Sequence, residues 1–137
     1  MASIADRVCE TSVTTGTGDF TLAGAVNASY RTFAAAFTTS DVPYYVAVAV
    51  DANGNPTGQW ECGQSTGYGS SAVLTRSTIL SNSDGSTSAV AFTAGTKQVF
   101  NAVPTSFFTG ISSSFSVLSS SLSALGNIVA HTIYGGM

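Results

Sequence analysis

The sequence predicts a mainly β protein: a small antiparallel β-sandwich or barrel with one short helix, followed by a C-terminal amphipathic helix of coiled-coil type. Three observations carry this reading. Short runs of β-branched and aromatic residues alternate with Gly, Asn, Asp and Ser clusters up to Pro104, the pattern of brief strands joined by turns. Among them, residues 44–50 and 59–63 flank a loop that holds Asn53-Gly54 and Asn55-Pro56, which reads as a hairpin. After Pro104 the apolar residues recur at alternating spacings of three and four, the period of a helix with one apolar seam. The chain therefore divides into a β-rich unit over 1–104 and a serine-rich heptad helix with a tail over 105–137.

Taken in order, the alternation over 6–15 predicts a first strand, and Gly16-Thr17-Gly18-Asp19 turns it into a second with Phe20 and Leu22 on one face. No helix start or lysine follows those glycines, so they are not a phosphate cradle. Tyr30, Phe33 and Phe37 stand three and four apart with alanines between, as on a short helix covering one end of the sheet. In the hairpin, Val46, Val48 and Val50 share a face at the period of two, and Trp60 joins them from the return strand. These four residues, with Phe20, Leu22 and Phe33, make up the expected core. Residues 73–80 form a further strand with apolar side chains on both faces, suited to lie between two layers or against a neighbouring subunit. Short strands over 89–92 and 97–103 complete the unit.

The second unit carries Phe108, Ile111, Phe115, Leu118, Leu122, Leu125 and Val129 as one seam. Most residues between them are serine, which disfavours helix by roughly 0.5 kcal/mol per position relative to alanine. No Glu/Lys pairs offset that loss. The helix is thus expected to need a partner surface, and each seam side chain buried there returns about 1.5–3 kcal/mol. That surface is other copies of the chain, its own β unit or another protein.

Composition narrows the partners. Of 137 residues 44% are hydrophobic but only 8% charged, against about 25% charged in an ordinary soluble domain. So uncharged a surface favours association. The net charge is −3 and the four cations Arg7, Arg31, Arg76 and Lys97 are scattered, which argues against nucleic acid. There is no signal-like N-terminus, and no run approaches the roughly 18 apolar residues of a membrane span. The expectation is a soluble product of a cytoplasm with no membrane partner.

Nothing in the sequence assembles a catalytic or metal centre, and no cofactor is expected. His131 is the one histidine and stands near the glycine-rich end, a poor place for a general base. The acidic residues lie singly, mostly beside turns, where they cap backbone amides. Cys9 and Cys62 read either as small buried apolar side chains or free thiols, or as a disulfide within one chain or between subunits. Tyr44, Tyr45, Trp60 and Tyr68 offer a contrasting reading as stacking aromatics of a glycan-binding or hydrolytic module.

The segments Ala5-Asp6-Arg7-Val8-Cys9-Glu10-Thr11, Gly16-Thr17-Gly18-Asp19-Phe20-Thr21-Leu22-Ala23-Gly24-Ala25, Tyr30-Arg31-Thr32-Phe33, Trp60-Glu61-Cys62-Gly63, Leu74-Thr75-Arg76 and Ala94-Gly95-Thr96-Lys97 occur in that order. Over residues 5–104 this ordered set resembles a β-rich module of tailed-phage and prophage tail-fibre, collar and minor structural virion proteins. The resemblance implies a non-enzymatic virion protein that docks on a neighbouring virion protein or builds a homotrimer. A capsid decoration role differs only in its neighbour. The family more often has other residues where Cys9 and Cys62 stand, and this paired replacement favours the disulfide reading, since a virion leaves the reducing cytoplasm. Here no long receptor-binding region follows the module, so a short fibre, collar piece or adaptor is implied.

Overall fold

A computed structural model of the chain describes residues 2–66, 68–69 and 72–134. The protein is mainly β and forms two compact units, Met1–Pro104 and Thr105–Met137.

The first unit contains β1 (Ala2–Ser3), β2 (Cys9–Ser12), β3 (Phe20–Ala25), α1 (Phe33–Ala36), β4 (Val42–Val50), β5 (Pro56–Gln64), β6 (Tyr68–Gly69), β7 (Val73–Leu74), β8 (Thr78–Asn82) and β9 (Thr96–Phe100). The strands join in one sheet ordered β6-β7-β3-β2-β9-β4-β5-β8, with the short β1 parallel to β4 at the side. Every pairing along that path is antiparallel, and the sheet curls into a half-barrel. The hairpin β4–β5 is its longest pairing, and β9 adds on the other side of β4.

Several elements are shorter than the sequence predicts, each for a local reason. The first strand begins only at Cys9 because Arg7 takes a left-handed φ of 56° and turns the chain. The helix expected from Tyr30 is a single turn capped by Thr32, whose hydroxyl accepts from the Ala35 amide at 3.1 Å. The strand over 73–80 is broken into β7 and β8 at the point where Arg76 turns inward. Residues 89–92 form no strand, although Phe92 bridges Gly16.

Register decides which face becomes core, and here the expectation for the hairpin is corrected. Tyr45, Ala47 and Ala49 are buried, whereas Val46, Val48 and Val50 are only partly covered and Trp60 is 38% exposed. Ala47 stands opposite Glu61, and Ala49 opposite Lys97. Directly paired residues share a face. Glu61 and Lys97 are fully buried on polar partners, so the alanines follow them inward and the valines and Trp60 face out. Alternation alone had marked two faces without saying which was inside.

Phe20, Leu22 and Phe33 are buried in the inward cluster with Phe37, Tyr45, Leu74, Val90, Phe92 and Val99. Phe20 packs edge-on to Tyr45 at 5.8 Å between ring centroids and against Phe92 at 5.7 Å. The Tyr45 ring crosses directly over its paired residue Gly63, where an added Cβ would lie 2.5 Å from the tyrosine Oη and 2.7 Å from the Thr78 carbonyl oxygen. Gly63→Ala is therefore expected to destabilise the unit by about 1–3 kcal/mol, the usual range for overpacking, read as a lower urea midpoint.

The second unit is one helix, α2 (Thr105–Tyr134), of 30 residues. It is about 45 Å long at ~1.5 Å per residue.

Candidate functional site

The seam of α2 lies open. Phe108, Ile111, Phe115, Leu118, Leu122 and Leu125 are each between 40% and 67% exposed, and Val117 and Ile128 widen the stripe beyond the seam read from the sequence. The side chain of Val129, the last seam position, falls outside the described residues. No Asp, Glu, Lys or Arg occurs from residue 98 onward. Three of the serines bond back to the helix: Ser113 donates to the Thr109 carbonyl, Ser114 to that of Gly110 and Ser121 to that of Val117, each at 3.0 Å. Such back-bonded hydroxyls lose little when a second helix covers them. Phe115, Leu118, Ser119, Leu122 and Ser123 line a shallow groove. Residues at i, i+3, i+4 and i+7 make the diamond-shaped hole that receives a knob from a facing helix.

In the β unit the polar centre is a buried ion pair, which the sequence reading did not find. Glu61 and Arg76 pair with side chains essentially sealed from solvent. Glu61 Oε1 accepts from Arg76 Nε and from the Tyr45 hydroxyl, both at 2.8 Å, and Oε2 accepts from Arg76 Nη2 and from the Val90 amide at 2.7 Å. Arg76 Nη1 donates to the carbonyls of Gly16 and Gly18 at 3.1 Å, and Nη2 also donates to that of Val90 at 2.7 Å. All five guanidinium N–H groups are placed, which is what a buried arginine requires. The guanidinium also stacks over the rings of Phe20 and Phe92, at 4.9 and 5.4 Å. Asp19 holds the Arg76 amide at 2.8 Å. Burial and the neighbouring Glu61 carboxylate push the Tyr45 hydroxyl well above the ordinary tyrosine range, so it remains a donor.

Nearby, Lys97 ends in a carbonyl cage, donating to Thr93 at 2.7 Å and Gly95 at 2.9 Å over the Phe92 ring. Desolvation lowers its pKa. The segments around Gly16, Glu61, Arg76 and Lys97, far apart in the chain, therefore converge on one cluster. A lone Glu and a lone Arg carry no label for this in sequence, because their partners are mostly backbone atoms fixed by the fold.

The cysteines are free and buried. A disulfide within the chain is corrected: Cys9 pairs across to Phe100, Phe100 to Val46, and Val46 to Cys62. Three strand spacings of ~4.8 Å separate the two thiols, while a disulfide needs Cα atoms within about 7 Å. Burial, and secondarily Glu10, push the Cys9 thiol up to about 11, and burial raises Cys62.

Glu10 is buried beside α1 and accepts from the Phe33 amide at 2.7 Å. Its carboxyl is raised by desolvation, only partly offset by the backbone donors Phe33 and Gly24. The native state then holds the proton more tightly than the unfolded chain, so Glu10 favours folding below the ordinary glutamate range, and that contribution fades as pH rises through the raised folded value. Glu10→Gln is expected to gain stability over the wild type between pH 4 and pH 7, measured as the difference in urea midpoints at the two pH values. An unchanged difference counts against the buried charge.

Comparison with protein families, curated proteins and solved structures finds no match. Among the described residues no three His, Cys, Asp or Glu side chains gather as metal ligands, and no helix is long and apolar enough to cross a membrane. The polar groups of the Glu61–Arg76 cluster are saturated by one another and by backbone carbonyls and amides.

Proposed function

We propose that the chain is a non-enzymatic structural protein of a tailed-phage virion, a short fibre, collar piece or tail-fibre attachment component. In this reading α2 associates with copies of itself, as a homotrimer, and the β unit docks on another virion protein. The observation that carries it is the open, charge-free seam of α2, six side chains long over the described residues and bordered by serines of which Ser113, Ser114 and Ser121 bond to the helix's own carbonyls. The phage assignment rests on the ordered segments of the β unit, and it is supported by the meeting of three of them, at Gly16 and Gly18, Glu61 and Arg76, in one cluster. A residue set tied to one rigid fold by a saturated internal cluster suits a part that is assembled rather than one that turns over substrate.

Light scattering of the whole chain and of a chain ending at Pro104 tests the assembly. A trimer or larger for the first and a single copy for the second is the expected result; single copies of both would remove α2 as a self-association element. Antibody labelling of purified phage particles by electron microscopy tests the location, and unlabelled particles count against a virion role. Capsid decoration differs by where the label falls. The exposure of Trp60 gives specific support to the glycan-binding alternative. Titration of its fluorescence with host surface glycans separates the two: no change is expected of a structural protein.

A further inference from the structure

Where β2 meets β9 the first unit holds a pocket of about 300 Å³, and every residue lining it belongs to that unit. Its apolar side chains are Val8 and Cys9, both buried, and the half-buried Phe100; its polar ones are Arg7, Tyr30, Gln98 and Asn101. Asn101 is spent, since its amide donates to the carbonyls of Ser3 and Tyr44 and its oxygen accepts from the Ala5 amide. The other three are not. Arg7 Nε donates to the Ser29 carbonyl at 2.7 Å, and the guanidinium lies 4.8 Å from the centre of the Tyr30 ring. Its two Nη groups, the Tyr30 hydroxyl and the Gln98 side-chain amide meet no hydrogen-bond partner among the described residues. Arg7 also stands there under strain. Its φ of 56° lies in the left-handed region, which Gly or Asn holds more easily than a long side chain does. Such an outlier beside a pocket points to a use for the side chain.

We propose that the pocket takes the C-terminal residue of a neighbouring protein, with its carboxylate on Arg7 and an apolar side chain against Val8, Cys9 and Phe100. The proposal rests on the docking of the β unit read above and names the group that is gripped. Charge selects the carboxylate: the open Nη pair of Arg7 is the fork that a carboxylate accepts from. The apolar lining selects a body larger than an internal Asp or Glu, whose short stem would leave Phe100 and Val8 uncovered. Backbone bonding selects a chain end. The Arg31 amide donates to the Arg7 carbonyl, that of Asn101 to Val8, that of Cys9 to Arg31 and that of Val26 to Cys9, while β2 and β9 pair with each other. A peptide running through the site would find no free strand edge to join. An acidic sugar would bring several hydroxyls, for which only Tyr30 and Gln98 remain open. The volume is near the lower end for ligand pockets and suits one residue.

N-acetyl-leucine stands in for such a chain end, and N-acetyl-leucinamide for the same body without the charge. Each is titrated into the isotope-labelled whole chain, and the NMR signals of the Arg7 Nε–H and the Gln98 side-chain amide are followed. The expected result is that N-acetyl-leucine shifts both and half-saturates below about 10 mM, as a ligand of so few atoms allows. The amide should bind at least about tenfold more weakly, for want of the charge-assisted bonds. Arg7→Asn removes the cation and suits the left-handed backbone, so the shift at Gln98 should vanish. If that variant does not fold, Gln98→Glu tests the same point at the Arg7 Nε–H, by setting a competing carboxylate in the pocket with the Ser29 bond intact. Equal binding of the acid and the amide overturns the proposal. So does a whole chain that shifts with neither, including one in which α2 or another copy lies over the pocket. Glucuronate that binds more tightly than N-acetyl-leucine assigns the pocket to an acidic sugar and overturns it as well. Any of these failures leaves the α2 assembly and the virion location standing, because light scattering and antibody labelling read those separately. Unlabelled phage particles with the pocket response intact support the chain-end site and remove the virion as the source of its partner.

Discussion

Replacing Arg76 with methionine is expected to destabilise the β unit by about 3–5 kcal/mol, the range for removing one partner of a buried ion pair. For a domain whose whole stability is about 5–15 kcal/mol, this is a third or more of the total. The loss has two sources. Glu61 would lose its charged partner, with only the Tyr45 hydroxyl and the Val90 amide left to hold it. The carbonyls of Gly16, Gly18 and Val90 would lose a donor. Urea denaturation followed by Trp60 fluorescence measures it. Glu61→Gln in the Arg76→Met background should cost less than it does alone, with a coupling of roughly 1–3 kcal/mol as expected for residues in one network. A loss below about 1 kcal/mol for Arg76→Met would mean that the pair is a bystander of the fold.

The Leu118→Glu/Leu122→Glu change is expected to abolish both the assembly and most of the helix. Nine serines and two glycines lie within α2, and at ~0.5 and ~1 kcal/mol each they leave an isolated helix about 6 kcal/mol behind an all-alanine one. Burial of the seam is what offsets that deficit, and two adjacent glutamates at its centre cannot be buried without counter-charges. Because α1 is a single turn of four residues, nearly all the helical circular dichroism comes from α2. It should fall by more than half as the mass drops to one copy. The assembly should also be insensitive to salt between about 0.05 and 1 M, since no charge pairs exist in the helix to be screened. A seam-broken chain that keeps its mass and helical signal would show that the seam is not the contact.

The architecture was legible because its signals are local. The turn at 51–58, the alternation on both arms of the hairpin and the change of period after Pro104 each depend on neighbours in sequence, and the mainly β fold and long helix follow from them. What was not legible depends on pairing. Which face of β4 is core is settled by Glu61 and Lys97 on other strands, and their burial rests on carbonyls and amides that no side-chain pattern announces. The break at residues 75–77 has the same origin: a run that reads as one strand is divided because Arg76 must reach Glu61. Val117 and Ile128 were missed because a seven-residue template sees only the narrow seam, not the width of the stripe around it.

The two apolar faces of β4 have a consequence for how the chain finds its alignment. In most half-buried strands, sliding by one residue carries the apolar side chains into water, and that penalty fixes the pairing. For β4 a slip would exchange alanines for valines at little loss of burial, so hydrophobicity barely distinguishes the right alignment from the wrong one. A slip would, however, take the Tyr45 hydroxyl from Glu61 and set the Tyr45 ring against a side chain instead of Gly63. The Tyr45–Glu61 bond and the glycine thus act as an index mark for the hairpin. Weakening them should yield misaligned, association-prone species as well as a less stable native state.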